Sequence, residues 1–157
     1  MDKLQEEKRE KALNLALRFL SFRSRSIKEV RDFLSKKRLP EKEIENLINY
    51  FVELGFLDDK KFAKTWIEER QKYKNKSRLA LKLELQKKGV KPEIIEELLN
   101  ESRNDYEIAK EFIKKKRERF ANLDWDSFVK KAAGGLRQKG FSWDTIKKVL
   151  DEAKNEQ

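Results

Sequence analysis

The chain has 157 residues, enough for a modest core or a row of small ones, and 43% of them are charged, far above the usual quarter. Lys and Arg outnumber Asp and Glu by 39 to 29, and the resulting net charge of +10 favours a polyanionic partner: nucleic acid first, an anionic membrane second. The chain has no His and no Cys, which excludes imidazole bases, thiolate nucleophiles, disulfides and the usual zinc ligands; no cofactor or metal is expected, and an enzyme is the least favoured class. Met1 to Lys8 holds no apolar signal segment, and no stretch approaches the roughly 20 apolar residues of a membrane span, so a soluble, cytoplasmic protein without membrane contact is expected. A merely well-solvated Lys/Glu-rich surface is the plain alternative reading of the charge.

In chain order, Ala12, Leu15, Ala16, Phe19 and Leu20 recur at helical spacing and predict a first amphipathic helix. Ser26-Ile27-Lys28-Glu29 reads as a capping box opening a second helix that carries Ile27, Val30 and Leu34. Pro40 marks the first turn of a third, with Ile44, Leu47, Ile48 and Phe51 on one face, extended to Leu54, and Gly55 as its C-terminal cap. Asp58 and Asp59 are expected to cap the helix starting near Lys60, since no base or metal ligand stands nearby to make them catalytic. That helix carries Ala63, Trp66, Ile67 and Arg70.

Next, Leu79, Leu81, Leu83 and Leu85 alternate as a strand would. Helix wins because the run is built of helix formers without β-branched residues, and because Leu81 and Leu85 lie 51 residues after Val30 and Leu34. Leu79 and Leu83 are then surplus apolar residues, expected to pack on a neighbouring unit. Gly89 caps this helix, Pro92 opens the next, and Ala109, Phe112, Ile113 and Phe120 predict another. A longer connection is expected over 121–126. Gly134-Gly135 falls inside the following helix, signifying either close helix approach or local weakness, before Gly140 caps it.

The interval of 51 residues recurs: Leu34, Leu85 and Leu136 head the same short phrase, and Ile44, Ile95 and Ile146 share its register. A period of this kind signifies one supersecondary unit copied in tandem. The expected fold is therefore all-α, with three tandem three-helix repeats over 8–57, 58–104 and 105–155 forming an elongated, curved array.

Charge is segregated by helix. Arg70 to Lys91 holds nine basic residues against Glu84, and Pro92 to Glu107 holds six acids against Arg103. Arg18 to Arg38 and Leu39 to Lys60 repeat the contrast, and Lys110 to Arg119 adds six bases. Basic and acidic helices can pair with one another at under about 1 kcal/mol per exposed pair. Repeated basic helices can equally follow phosphates or dock on an acidic protein. The candidate binding residues are Arg23, Arg25, Lys36 and Lys37; then Lys74, Lys76, Arg78, Lys87 and Lys88; then Lys114, Lys115, Lys116 and Arg117. Trp66, Tyr73, Trp125 and Trp143 are candidate stacking partners, although Trp66 sits at a core position of the repeat.

Leu54-Gly55-Phe56-Leu57-Asp58-Asp59 followed by Phe62-Ala63 resembles the hallmark of the RecX family, regulators of the RecA recombinase. Arg25-Ser26 with Glu29-Val30, Arg78-Leu79 with Glu84-Leu85 and Lys88-Gly89-Val90, and Lys139-Gly140-Phe141-Ser142 are similar to its other motifs. Arg38 departs from the pattern where a glycine is usual, as does Asn75-Lys76-Ser77. The resemblance implies a non-enzymatic modulator of RecA, and a monomer is expected. Its partners would be the RecA filament and the single- or double-stranded DNA within it. Binding in the filament groove would block extension or promote disassembly. A helical DNA-binding protein acting alone is the alternative, and a helical scaffold for another protein is a third reading.

Overall fold

The computed structural model describes residues 2–156, and among them the chain forms nine α-helices and no strand. They follow in threes: α1 Lys3–Phe22, α2 Ile27–Ser35 and α3 Glu41–Glu53; α4 Asp59–Lys74, α5 Arg78–Lys87 and α6 Pro92–Glu101; α7 Asp105–Arg119, α8 Trp125–Gln138 and α9 Trp143–Asn155. The chain divides into two compact units. One takes residues up to Lys64 together with Leu85–Ile94, the other Thr65–Glu84 with the chain from Ile95 onward. The middle triplet thus contributes to both.

In the first unit Ala12 and Ala16 of α1, Val30 and Leu34 of α2, and Ile44, Leu47, Ile48 and Phe51 of α3 are buried together with Leu39 and Leu57. Ser26 accepts from the Glu29 N–H at 3.2 Å while the Glu29 carboxylate accepts from the Ser26 N–H at 3.1 Å, the reciprocal pair that the sequence signals. Leu54 differs from expectation: it is the C-cap residue of α3 and is exposed, because the helix has ended before its side chain can turn inward. The hallmark segment can then be read residue by residue. Gly55 takes φ 78°, which reverses the chain. Leu57 plugs the core. Asp58 Oδ1 accepts from the Lys60 and Lys61 N–H groups, capping α4. Asp59 does not share that task; its Oδ1 accepts the Ile27 N–H at 2.9 Å and so caps α2, 32 residues back.

In the second unit Ile108, Ala109, Phe112 and Ile113 of α7 pack with Phe128, Ala132 and Leu136 of α8, Phe141, and Ile146, Val149 and Leu150 of α9. Here Asp105 repeats the role of Asp59: its Oδ1 accepts the Arg78 N–H at 2.8 Å, and Arg78 lies 51 residues after Ile27. The connection before α8 is shorter than expected, because Asp124 caps the helix through the Ser127 N–H at 2.7 Å and draws Trp125 and Asp126 into it.

The leucine run is helical, with Leu81 and Leu85 fully buried. Leu79 and Leu83, expected to be covered, are 58% and 51% exposed. Two residues advance a helix by about 200°, so they face away from Leu81 and Leu85. Gly135 is a close approach, since a Cβ there would lie 2.8 Å from Phe112 Cζ, whereas Gly134 meets nothing within 4 Å. Asn75 holds φ 49° and Arg38 φ 59°, the left-handed region in which the missing glycines would sit without cost.

Candidate nucleic-acid interface

The thirteen candidate residues separate into two groups by what their side chains touch. In the first unit, Arg23 bonds the Glu29 carboxylate at 2.5 Å. Arg25 lies 3.8 Å from the centre of the Phe19 ring and donates from Nε to the Phe19 carbonyl at 3.2 Å. Lys88 reaches the same Glu29 at 3.4 Å. These three cations converge on one carboxylate. Burial works to raise the pKa of Glu29, but the bonds from Arg23 and the Ser26 N–H, with the charges of Arg23 and Lys88, outweigh it and hold the carboxyl below its ordinary value. Burial, then the neighbouring Arg23 charge, lowers the Arg25 pKa.

Lys88 is placed by a backbone junction. Gly89, at φ 78°, lies so close to α2 that a Cβ would stand 2.7 Å from Lys28 Cβ, and Lys28 Nζ donates to the Lys87 carbonyl at 3.2 Å. By contrast the side chains of Lys36 and Lys87 are exposed, and Lys37 is exposed with its Nζ 5.1 Å from the Phe33 ring centre.

In the second unit Arg78 is consumed by the fold, donating to the Ser102 carbonyl at 2.5 Å. Lys115 pairs with Glu111 at 3.1 Å and also donates to the Lys72 carbonyl. Arg117 stands over the Trp125 and Phe128 rings and donates to the Leu123 carbonyl at 3.4 Å. Lys114 and Arg117 line a groove of about 690 Å³ whose floor includes Ile113, Trp125 and Val149, with Glu111, Glu118 and Glu152 beside them.

Lys74, Lys76 and Lys116 come together around a residue absent from the candidate set, Lys139. Its Nζ donates to the Lys74 carbonyl at 2.6 Å and lies 5.5 Å from the centre of the Phe112 ring, the same distance as Lys116 Nζ. Burial lowers the pKa of Lys139, and the charges of Lys76, Lys116 and Lys74 lower it further. Among the described residues no carboxylate forms an ion pair with any of these four lysines. The signal that could have found Lys139 was its register, since it stands 51 residues after Lys88. Of the aromatic candidates, Trp125 packs on the core and Trp66 is half-buried under Arg70, while Tyr73 and Trp143 are exposed.

Three-helix units following one another along the chain define an all-α protein of the repeat class. Sequence models of the first, second and third three-helix domains of RecX match residues 12–51, 58–99 and 104–150. The chain belongs to the RecX family. It is 30% identical over 150 residues to a protein named regulatory protein RecX from Streptomyces lividans, covering 94% of this chain and 80% of that one. To the regulatory protein RecX of Prosthecochloris aestuarii it is 33% identical over 142 residues, covering 90% and 93%. It spans 56% of the Bacillus velezensis protein of that name, at 34% identity and 93% of this chain. The crystal structure of RecX from Lactobacillus salivarius superposes with a TM-score of 0.74 at 28% identity, covering 94% of this chain and 97% of that one. The family is thus one of regulatory proteins by name, and no helix among the described residues is long and apolar enough to cross a membrane.

Proposed function

We propose that this chain is a non-enzymatic regulator that damps the RecA recombinase by binding in the groove of the RecA–DNA filament, where it blocks extension or promotes disassembly. Family membership supplies the regulatory role. The observation that carries the contact reading is that Lys36, Lys74, Lys76, Lys87 and Lys116 have no carboxylate partner among the described residues, while the arginines beside them are held by the fold. Cations left over in this way are available to phosphates or to acidic protein. The chain acts as a monomer in the cytoplasm, in recombination and repair, through three repeats bounded near 57/58 and 104/105.

The test is RecA's DNA-dependent ATPase, titrated with this protein. Progressive inhibition at or below equimolar ratio is expected. An ATPase unaffected at every ratio up to equimolar would remove RecA as the target.

A further inference from the structure

The two helix junctions are built alike and neutralised differently. At the first, Gly89 abuts Lys28, and Lys88 finds Glu29 at 3.4 Å. At the second, 51 residues on, Gly140 abuts Ser77 and Ala80: a Cβ on it would stand 2.5 Å from Ser77 Oγ and 3.0 Å from Ala80 Cβ. The Ser77 N–H donates to the Lys139 carbonyl at 3.0 Å, which fixes where Lys139 begins. Yet the residue in register with Glu29 is Ala80, so the carboxylate that answers Lys88 has no counterpart. Lys139 turns instead to the Lys74 carbonyl, into the company of Lys74, Lys76 and Lys116. One of its three donors is used there, and the other two remain.

Four ammonium groups gathered without a counter-charge repel one another, and an external anion relieves that repulsion. Next to Lys74 in the sequence, in the last turn of α4, stands Tyr73, 69% exposed and with Lys72 Nζ 5.2 Å from its ring centre. A ring offered to solvent beside a phosphate site suits a strand whose bases are unstacked. A duplex keeps its base faces covered, and an acidic protein surface needs no such ring.

We propose that Lys74, Lys76, Lys116 and Lys139 hold a phosphodiester of single-stranded nucleic acid while Tyr73 stacks on an adjoining base. This deepens the filament-binding reading and rests on it only for biological setting; the site stands or falls on its own chemistry.

The test uses the full chain, a fluorescently labelled oligo(dT), an abasic strand of equal length and a duplex, with binding read by anisotropy across a salt series. Tyr73→Ala should weaken oligo(dT) binding by about 5- to 150-fold and leave the abasic strand unchanged. Lys76→Gln and Lys139→Gln should weaken both strands and reduce the salt slope by about 0.7 for each phosphate no longer neutralised. Circular dichroism confirms the fold of each variant; Tyr73 is exposed, and its substitution keeps the test readable if a lysine variant does not fold. Unchanged oligo(dT) affinity in Tyr73→Ala, equal weakening on the abasic strand, or an unaltered salt slope in the lysine variants would overturn the proposal. So would a preference for duplex, or lysine variants that lose DNA-free RecA instead of DNA. The RecA ATPase titration of the unaltered protein is a separate reading: inhibition with no strand binding sinks the site alone, and strand binding with no inhibition sinks the RecA target alone.

Discussion

Gly89→Ala and Gly55→Ala place the same methyl group on nearly the same backbone, in the same compact unit, and should differ sharply in stability. Both glycines have φ 78°. An L-residue in the left-handed region costs roughly 1–2 kcal/mol, offset in part by about 0.4–1 kcal/mol from a stiffer unfolded chain. Gly55 meets nothing within 4 Å, so Gly55→Ala should lose only the remainder, about 1 kcal/mol. At Gly89 the new Cβ lies 2.7 Å from Lys28 Cβ and 2.8 Å from its Cδ. Lys28 Cβ is fixed to α2, so the backbones must part, and overpacking of this kind adds about 1–3 kcal/mol. Gly89→Ala should therefore lose about 2–4 kcal/mol in urea unfolding followed by far-UV circular dichroism. Arg38 is the internal control: it holds φ 59° with an exposed side chain, so left-handed backbone alone is tolerated at a helix-two terminus. If the two alanine variants unfold at the same urea concentration, the glycine is there for its dihedral angle and the junction is not a close approach.

Further outcomes follow from individual side chains. Gly134→Ala should stabilise α8 by about 1 kcal/mol, and Gly135→Ala should destabilise it, because only the second methyl meets Phe112; thermal denaturation of both decides. Asp59→Ala should lose about 1–2 kcal/mol by leaving the Ile27 N–H unbonded, whereas Asp59→Asn keeps an acceptor. Burial raises the Asp59 pKa above 3.8, so its charged form detracts from stability as pH rises through that value, and unfolding of Asp59→Asn across the window should lack this decline. Glu29 has the opposite sign: its pKa is below 4.5, so its contribution is present above that pH and is lost as pH falls through the lowered value. Glu29→Gln should flatten that acid limb in unfolding measured against pH. Arg25→Ala should cost about 1–2 kcal/mol because the Phe19 ring and carbonyl are left without their guanidinium, and Lys36→Ala less than about 0.5 kcal/mol, by urea unfolding.

The helices were legible wherever one rule decided them. The Ser26 capping box, the αL glycines and the buried faces of α2 and α3 follow from local spacing, and the 51-residue register resolved the leucine run. Long-range choices were not legible. Asp59 precedes Lys60 as any helix cap would, and only the folded chain brings it to Ile27 instead. Leu79 and Leu83 read as surplus core because hydrophobicity alone does not say that a helix has one buried face. The basic strip suffered most, since counting charges cannot separate a lysine facing water from an arginine stacked on Phe19.

Residue type draws that separation, and for a physical reason. All four arginines in the candidate set are engaged by the fold: Arg23 by Glu29, Arg25 by Phe19, Arg78 by Ser102 and Arg117 by Leu123 and two rings. A planar guanidinium loses little on leaving water and fits carboxylates, carbonyls and ring faces, so folding captures it. An ammonium is more strongly hydrated and is costlier to cover; where the fold partly covers Lys88, Glu29 stands before it. Lys139 lacks that acid: the fold half-buries it among three lysines and gives it a carbonyl in place of a carboxylate. A cation placed against its own solvation preference destabilises the free protein. Restoring the missing acid, Ala80→Glu, should therefore raise stability and weaken oligo(dT) binding together. A variant that gains stability without losing the strand would mean that the uncompensated charge serves no ligand.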